Sequence, residues 1–466
     1  MRLALKFALV LLCANSALAE TTIDLPIPEA RALATQAALG GDPETARRIA
    51  AQLLQLDPND RAALLVLAAV EPQLGRPAQG RLAGARAYAV SATDAEKYEA
   101  ARLTALAAAN EGRFTLAGWW LRRALTVAPT PQDAEQTTAD ARGVRNLNPW
   151  SSNVALSFAP SDNVNGGANA EFFTFPGSSV AGQRLSPSAR ALSGWAGVLD
   201  LKTRYRFAVS QVAQSSLSAR IFARRVILSE NAWDFIDEVS LPNDAPVELS
   251  EFSSSLLEFS FRHDRAAQRG VYGFDVILGQ VWSQAEFDYT FLRVGADRTV
   301  PVTDNASLSF AGSIEHRLDD DDQPKDWRYQ LRGTASYELA SGNALSATLG
   351  LAMVDSDRAN DVSYSRSLQL NYAIARPIGP AKVQFSLGAS GEDFPDYAFL
   401  SGFGFIPVIG GREDRRVFGS AELFFADFDS AGFAPVVTLS ASRTQSNVSR
   451  FDRDDLSLSF SFRSTF

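Results

Sequence analysis

Apolar residues recur with two different periods along the chain. In the first third, Ala and Leu follow the spacing of amphipathic helices. From the segment LNPWSSNVALSFAP onward they alternate with polar or small residues, beginning with Val154, Leu156 and Phe158. A period of two gives a strand one apolar and one polar face. We therefore expect an α+β multidomain architecture, with a helical domain over 20–143 and a β domain over 149–466.

The helical part contains a repeated segment. GGDPETARRIAAQLLQLDP recurs as EGRFTLAGWWLRRALTVAP, and a weaker middle copy, LGRPAQGRLAGARAYAVSA, follows the first at the 34-residue period of tetratricopeptide repeats. Each copy has Gly at a turn and small residues where paired helices would touch, and the outer copies end in Pro. We predict tetratricopeptide-like helix pairs that stack, with a generic helical bundle as the alternative. The predicted packing positions are Gly41, Ala46, Leu53 and Pro58 in the first copy and Gly112, Ala117, Ala124 and Pro129 in the last.

The β part contains fourteen candidate strands. Connections after even-numbered strands are mostly short, whereas several after odd-numbered strands are long, which is typical of outer-membrane barrels. Two packed sheets of a soluble protein are the alternative, but long strands joined by consecutive hairpins fit a closed ring better. We predict a transmembrane antiparallel β-barrel of about 14 strands. The predicted spans are 151–159, 191–207, 215–229, 250–263, 270–283, 287–300, 305–318, 326–340, 343–355, 361–375, 381–390, 416–428, 434–445 and 455–466.

The last predicted strand, DLSLSFSFRSTF, alternates strictly. A bilayer offers no partner for backbone N–H and C=O groups, so a spanning sheet must close into a ring. We expect this strand to close the ring and its final aromatic residue to lie in the aromatic girdle at the periplasmic interface. Such a strand also suits recognition by the barrel assembly machinery, an expected partner. Its apolar face consists of Leu456, Leu458, Phe460, Phe462 and Phe466.

The first residues predict export. Arg2 precedes an apolar run that is too short to span a bilayer, and Ala17 and Ala19 form a small-x-small cleavage pattern. We expect a signal peptide over 1–19. Lipid attachment at Cys13 is a more specific alternative. It is disfavoured because the preceding residue is a bulky Leu, where lipoprotein signals have a small residue. Because Cys13 is the only cysteine, cleavage leaves no thiol for a disulfide or a thiolate metal site.

The net charge, the two histidines and one acidic run indicate which classes of function are excluded. The net charge of −9 argues against nucleic acid as a partner. His263 and His316 are the only histidines, each beside a carboxylate near a predicted strand end, and a barrel rim is the simpler interpretation. The acidic run from Asp319 to Asp322 lacks the ligand spacing of a calcium loop. We predict no catalytic, cofactor or metal site.

Two groups of arginines flank predicted strands. Arg facing lipid at the bilayer midplane costs about 2–4 kcal/mol, so we expect both groups at the rim or inside the barrel. The apolar loop GFGFIPVIGG is expected to enter the lumen, contact cargo or lie against the membrane. The arginines are Arg220, Arg224 and Arg225 near the end of the third predicted strand and Arg412, Arg415 and Arg416 before the twelfth.

Two segments resemble the surface lipoprotein assembly modulators (Slam), which pair a periplasmic tetratricopeptide region with a fourteen-stranded outer-membrane barrel. NPWSSNVALSFAPSDNVNGGAN is similar to the opening strand and loop of that family, and TQSNVSRFDRDDLSLSFSFRSTF to its last hairpin. The helical region departs from the family because it shows only about three repeats. The residues that carry the resemblance are Asp162, Asn163 and Asn165, and Asn447, Arg450, Phe451 and Arg453.

The resemblance implies a non-enzymatic translocator in the outer membrane. Its helical domain would lie in the periplasm and engage a client lipoprotein or secreted protein, and its barrel, surrounded by outer-membrane lipids, would provide the path to the cell surface. Two other functions share this architecture: a polysaccharide exporter, and a passive diffusion porin with an accessory repeat domain.

Overall fold

The chain divides into two compact units, Met1–Pro131 and Gln132–Phe466. The computed structural model describes residues 25–177, 183–242, 244–318, 326–401, 404–428 and 433–464. The predicted signal peptide with Ala17 and Ala19, the acidic run from Asp319 to Asp322 and the terminal Phe466 lie outside the described residues.

The first unit is built from helices α1 to α6, which each pack on the next, with α1 also touching α3 and α3 also touching α5. This is the packing of stacked helix pairs, and it confirms the tetratricopeptide-like prediction. Among the described residues, no helix is both long and apolar enough to cross a membrane. The helices are α1 (Ile27–Leu39), α2 (Pro43–Leu56), α3 (Arg61–Val70), α4 (Pro77–Val90), α5 (Asp94–Asn110), α6 (Phe114–Leu125) and α7 (Pro131–Leu147), which leads into the second unit.

Glycines turn the chain between paired helices. Gly41, Gly75 and Gly112 precede α2, α4 and α6, and their φ angles are +81°, +74° and +77°. This left-handed region is nearly free of strain only for Gly, so the repeated glycine has a backbone cause. Between α4 and α5 the helices meet closely, since a Cβ on Gly84 would lie 2.4 Å from Thr104 Oγ1.

The other predicted repeat positions lie on or beside the second helix of a pair. Four of them are buried where that helix meets its neighbours, and both prolines follow the end of a helix and are exposed. The buried residues are Ala46, Leu53, Ala117 and Ala124, and the prolines are Pro58 and Pro129.

Acidic side chains cap the N-termini of two of these helices. Asp42 caps α2, where hydrogen bonds from the side chain and the backbone N–H of Thr45 lower the pKa of its carboxyl group. Glu96 completes the capping box of α5, and hydrogen bonds from the backbone N–H groups of Ala92 and Thr93 lower its pKa.

Fourteen strands of the second unit form a closed antiparallel barrel. Each predicted strand is present, within about four residues at either end. The one predicted at 416–428 begins earlier, at Arg412, because those residues pair with the strand before it. The barrel strands are β1 (Trp150–Ser161), β4 (Gly194–Val209), β5 (Ala213–Leu228), β6 (Ser254–Ala266), β7 (Val271–Ser283), β8 (Glu286–Thr303), β9 (Ala306–Leu318), β10 (Asp326–Glu338), β11 (Ala344–Ser356), β12 (Ser363–Ala373), β13 (Lys382–Phe394), β16 (Arg412–Phe424), β17 (Phe433–Ser446) and β18 (Arg453–Ser464).

The two ends of the barrel differ. At one end, here called the short-turn end, consecutive strands are joined by brief turns such as 210–212 and 304–305, and β1 begins and β18 ends there. At the opposite loop end lie the connections 162–193, 229–253 and 395–411. This asymmetry is the one predicted from the sequence.

The outer face of the barrel is apolar. Large side chains such as Leu331, Leu349 and Leu387 alternate with inward residues and expose 64%, 62% and 60% of their surface. Exposed leucines at this density cannot be stable in water but suit a hydrocarbon environment. Aromatic residues lie toward both ends of this face: Trp150, Tyr205, Tyr272 and Tyr337 at the short-turn end, and Trp195, Trp282, Trp327 and Tyr364 at the loop end.

The long loops fold onto one another at the loop end. One apolar cluster contains Val164, Leu192, Val226 and Ile236, and includes helix α8 (Glu230–Val239). A second contains Phe173, Val408 and Val448. The described residues of the predicted apolar loop 402–411 form one strand of a short ribbon and bury Val408. The short strands here are β2 (Phe172–Phe173) with β3 (Gln183–Arg184), and β14 (Ala398–Ser401) with β15 (Gly404–Pro407).

Candidate functional site

The lumen of the barrel is the largest polar surface that the strands enclose. Directly opposed residues of antiparallel strands share a face, so the register assigns each side chain to the lumen or to the outside. On β11, for example, Thr348 faces inward opposite Thr334 of β10, and the neighbouring Leu349 faces outward. The inward residues are mostly Ser, Thr, Asn, Gln and charged residues, so the lumen is wet.

An ion-pair network spans one wall of the lumen. Arg220 binds Asp200 with two hydrogen bonds, at 2.9 and 2.8 Å, and reaches Glu258 at 3.3 Å. Arg293 contacts Glu258 at 3.9 Å and donates to Glu315 at 2.7 Å. Bidentate arginine–carboxylate pairs are geometrically demanding, so the network holds five side chains of this wall in fixed positions.

A second cluster lies on the same wall, nearer the short-turn end. The guanidinium of Arg262 lies 2.8 Å from Asp264, 2.8 Å from Asp297 and 3.5 Å from Asp275. One cation therefore balances three carboxylates from three strands, which leaves this part of the wall negative.

The facing wall is largely uncharged. A lumen cavity of about 740 Å³ extends from Asp275, Arg293 and Asp297 onto strands β10 to β12, where hydroxyl and amide side chains dominate. The aromatic ring of Phe418 covers Gly388, where a Cβ would lie 2.3 Å from the ring. The polar side chains here include Gln330, Thr334, Thr348, Ser365, Ser367 and Gln369.

The long loops that fold together at the loop end are here called the cap. One arginine, Arg412, connects this cap to the barrel strands. The guanidinium carbon of Arg412 lies 3.8 Å from the ring centre of Phe394 and 3.5 Å from that of Phe451, while the group pairs with Asp414 at 2.8 Å. Burial raises the pKa of Tyr397 in the same cap. The cation–π contacts and the ion pair together fix this side of the cap.

The ring closes unevenly between its first and last strands. β1 pairs with β4 from Trp150 to Ser161. Toward β18, among the described residues, its register joins only two pairs, Phe158 with Phe460 and Ser161 with Ser457. The other neighbouring barrel strands are registered along most of their length. Among the described residues, Val154 to Ser157 of β1 have no registered partner on β18, so the described part of the seam is least paired on the short-turn side of Phe158.

Hydrogen bonds from loop side chains fasten the other half of the seam. Asp162 Oδ1 accepts a hydrogen bond from Leu456 N–H at 2.9 Å, and Asn163 Nδ2 donates to the carbonyl of Asp454 at 3.0 Å. Arg453 donates to the carbonyl of Gly166 at 3.3 Å. The loop after β1 and the start of β18 are thus tied together at the loop end.

The predicted site residues fall into distinct places. The described apolar residues of the last strand, Leu456, Leu458, Phe460 and Phe462, lie on the outer face. Of the arginines, Arg220, Arg224, Arg412 and Arg416 lie on the lumen face, whereas Arg225 and Arg415 lie on the opposite face. Arg412, Arg415 and Arg416 belong to strand β16, so their predicted position before a strand is wrong.

The histidines do not form acid–base pairs with their neighbours in the sequence. His263 bonds Ser215 at 2.8 Å and His316 stacks on Trp327, with ring centres 4.2 Å apart. In each case the adjacent carboxylate points to the other face of the strand. Within the described ranges, no group of three or more His, Cys, Asp or Glu residues could hold a metal ion.

The fold defines the class of protein. An even number of antiparallel strands in a closed ring, apolar outside and polar inside, with short turns at one end and long loops at the other, is the form of an outer-membrane β-barrel. The protein combines this barrel with tetratricopeptide-like helices that precede it.

Comparisons with known proteins add likeness of fold alone. No family model and no curated protein matches the chain. The Yersinia enterocolitica type III secretion translocator chaperone SycD is 17% identical over 26% of this chain and 83% of its own, with a TM-score of 0.23. Pseudomonas putida OprB is 9% identical over 70% and 96%, with a TM-score of 0.38. A bacterial polysaccharide outer membrane secretin is 9% identical over 67% and 98%, with a TM-score of 0.32.

Proposed function

We propose that this protein moves polypeptide clients, lipoproteins or secreted proteins, across the outer membrane to the cell surface. The observation that carries the proposal is the uneven seam between β1 and β18. A diffusion porin requires only a ring that stays closed. A lipoprotein also has to keep its acyl chains in hydrocarbon while its polypeptide passes through water, and a seam that can part serves both needs.

The energetics set where the seam would part. Each backbone group that is left unpaired in hydrocarbon costs several kcal/mol, so a fully paired seam would resist opening. On the short-turn side of Phe158, the described residues of the seam have no registered pairs to lose, while the loop-end side is held by Asp162, Asn163 and Arg453. We propose that the seam opens from the short-turn end and hinges at the loop end.

The remaining parts have roles in the same scheme. Short turns of outer-membrane barrels face the periplasm, and β1 begins at the short-turn end. We therefore propose that the helical repeats lie in the periplasm and engage the client there. The polar lumen would hold the polypeptide, and the proposal requires no chemical step.

The resemblance to the Slam family supports the choice of client. Three residues that carry it, Asp162, Asn163 and Arg453, are those that fasten the seam. A polysaccharide exporter is the second candidate, because the hydroxyl and amide wall around Gln330, Thr334 and Gln369 could hydrogen-bond to sugars.

Locking the seam tests the proposal. Extending the register by one residue toward the short-turn end places Ser157 opposite Ser461, both facing the lumen and just beyond the registered pairs. The pair Ser157→Cys/Ser461→Cys should form a disulfide that holds the seam closed. Ser161→Cys/Ser457→Cys is the matched control, because it links the half that is already fastened. Because the only native cysteine lies in the predicted signal peptide, no other thiol interferes.

The readout is the protease accessibility of lipoproteins at the surface of intact cells. A deletion strain should lose surface exposure of at least one lipoprotein, the control pair should restore it, and the test pair should restore it only with a reductant. Unchanged exposure in the deletion strain would overturn the proposed function, and loss of an exported polysaccharide instead would support the second candidate. Full delivery of the lipoprotein by oxidised Ser157→Cys/Ser461→Cys would overturn the proposed opening of the seam but not the proposed function.

A further inference from the structure

Three arginines converge on a small cavity in the lumen near the loop end. The cavity has a volume of about 270 Å³ and is lined by Arg224 of β5, Arg416 of β16 and Arg453 of β18, together with Asp455 and residues of the turn 163–166. It is separate from the large cavity beside the uncharged wall. The ion-pair network does not include it, although Arg453 and the turn 163–166 also fasten the seam in the proposed translocation.

Neutral groups, rather than carboxylates, hold these arginines. Arg224 and Arg453 donate hydrogen bonds to main-chain carbonyls of the turn 163–166, and Arg416 donates to the hydroxyl of Ser442 at 3.1 Å. Within the described part of the chain, none of the three forms an ion pair. A guanidinium has about five N–H donors, so most of the donors around this cavity are not used by the protein.

Beside this cavity, the buried hydroxyl of Thr444 has no hydrogen-bond partner among the described residues. The register sets Thr444 of β17 opposite Arg416 on one side and Arg453 on the other. Thr444 is 5% exposed. An unsatisfied buried polar group costs about 1–3 kcal/mol, and Thr444 lies beside the cavity, between two of its arginines, without lining it.

The charge of the lining defines the occupant. Three guanidinium groups and the single carboxylate of Asp455 leave two positive charges in excess. Arginine forks match the oxygens of phosphate, and each charge-assisted bond is about twice as strong as a neutral one. We propose that this cavity binds a phosphate group, either of free phosphate or of a lipid headgroup, between Arg224, Arg416 and Arg453 and next to Thr444.

Inorganic phosphate is the probe for the test. The purified full-length protein in detergent micelles is titrated with sodium phosphate by calorimetry, at constant ionic strength with sodium chloride. Arg416→Gln and Thr444→Val are the test variants, because Arg416 has only a hydroxyl partner and the Thr444 hydroxyl has none. Arg332→Gln is the matched control, since Arg332 also lies on the lumen face but lines the large cavity instead.

We expect saturable binding of phosphate that weakens about tenfold or more in Arg416→Gln, weakens to a smaller extent in Thr444→Val, and is unchanged in Arg332→Gln. The proposal would be overturned by two results together. The first is phosphate binding that does not saturate, or that is equally strong in the wild type and Arg416→Gln. The second is the absence of a retained phospholipid in the experiment described next.

A second arm distinguishes the two sources of phosphate. Native mass spectrometry of the protein extracted from outer membranes shows whether a phospholipid remains bound to the wild type and is lost in Arg416→Gln. A retained lipid that phosphate does not displace supports the headgroup, and saturable binding of free phosphate without a retained lipid supports the free ion.

Discussion

A single outward arginine should reveal whether the barrel face contacts lipid. Leu349 lies near the middle of β11, faces outward and is 62% exposed. Arg at the bilayer midplane costs about 2–4 kcal/mol, which corresponds to a roughly 30- to 700-fold fall in the folding equilibrium constant. An exposed position in water would instead change stability by no more than about 0.5 kcal/mol. The two environments therefore predict clearly different costs for Leu349→Arg.

Two neighbouring substitutions provide the controls. Thr348→Arg places the same charge one residue away but in the wet lumen, where it loses only the hydrogen bond to Thr334. Leu345→Arg lies on the outer face near the short-turn end, where the cost falls to about 0–1 kcal/mol. The assay is denaturant unfolding in phospholipid vesicles, followed by tryptophan fluorescence and gel mobility. Equal costs for Leu349→Arg and Thr348→Arg would refute the assignment of the two faces.

Three further predictions concern the helices and the lumen wall. Gly84→Ala should lower the melting temperature of the helical circular dichroism, because its Cβ meets Thr104 and overpacking costs about 1–3 kcal/mol, whereas Gly118→Ala, which meets nothing within 4 Å, should raise it by helix propensity. Arg220→Ala should destabilise the barrel by about 1–3 kcal/mol in vesicle unfolding, since Asp200 loses its partner and Glu258 keeps only Arg293, and a neutral effect would show that the network is not structural. Because the pKa of Asp42 is lowered in the folded state, its cap stabilises α2 above the ordinary carboxyl pKa and is lost as pH falls through the folded value. Asp42→Asn should therefore show a weaker loss of helical stability between about pH 5 and pH 3, and an unchanged pH dependence would contradict the capping role.

The fold could be predicted because its signals are local. The alternation of Leu456, Leu458, Phe460 and Phe462 is a property of one strand in contact with lipid on one side and water on the other. The turn glycines Gly41 and Gly112 report a backbone conformation that few other residues adopt. Neither signal depends on which strands become neighbours, so both can be read from the sequence.

The candidate site depends on contacts between distant residues. Arg220 meets Asp200 and Glu258 only because β4, β5 and β6 are neighbours at one register, and the sequence does not specify which carboxylate each arginine reaches. The position of Arg412 was mispredicted because its strand begins with charged residues that pair across the sheet. The weak seam has no signal in the sequence of β1 or β18, since each strand alternates normally along its length.

The central claim is that the second unit crosses a membrane with its apolar face turned to lipid. Single nitroxide labels along β11, from Ala344 to Ser356, test this claim most directly in a cysteine-free protein reconstituted into vesicles. We predict that accessibility to dissolved oxygen peaks at Leu345, Leu349 and Leu351, and that accessibility to a water-soluble nickel chelate peaks at the lumen-facing residues Ser346, Thr348 and Gly350. A nickel chelate that reaches the leucine positions as readily as the interleaved ones would contradict the account.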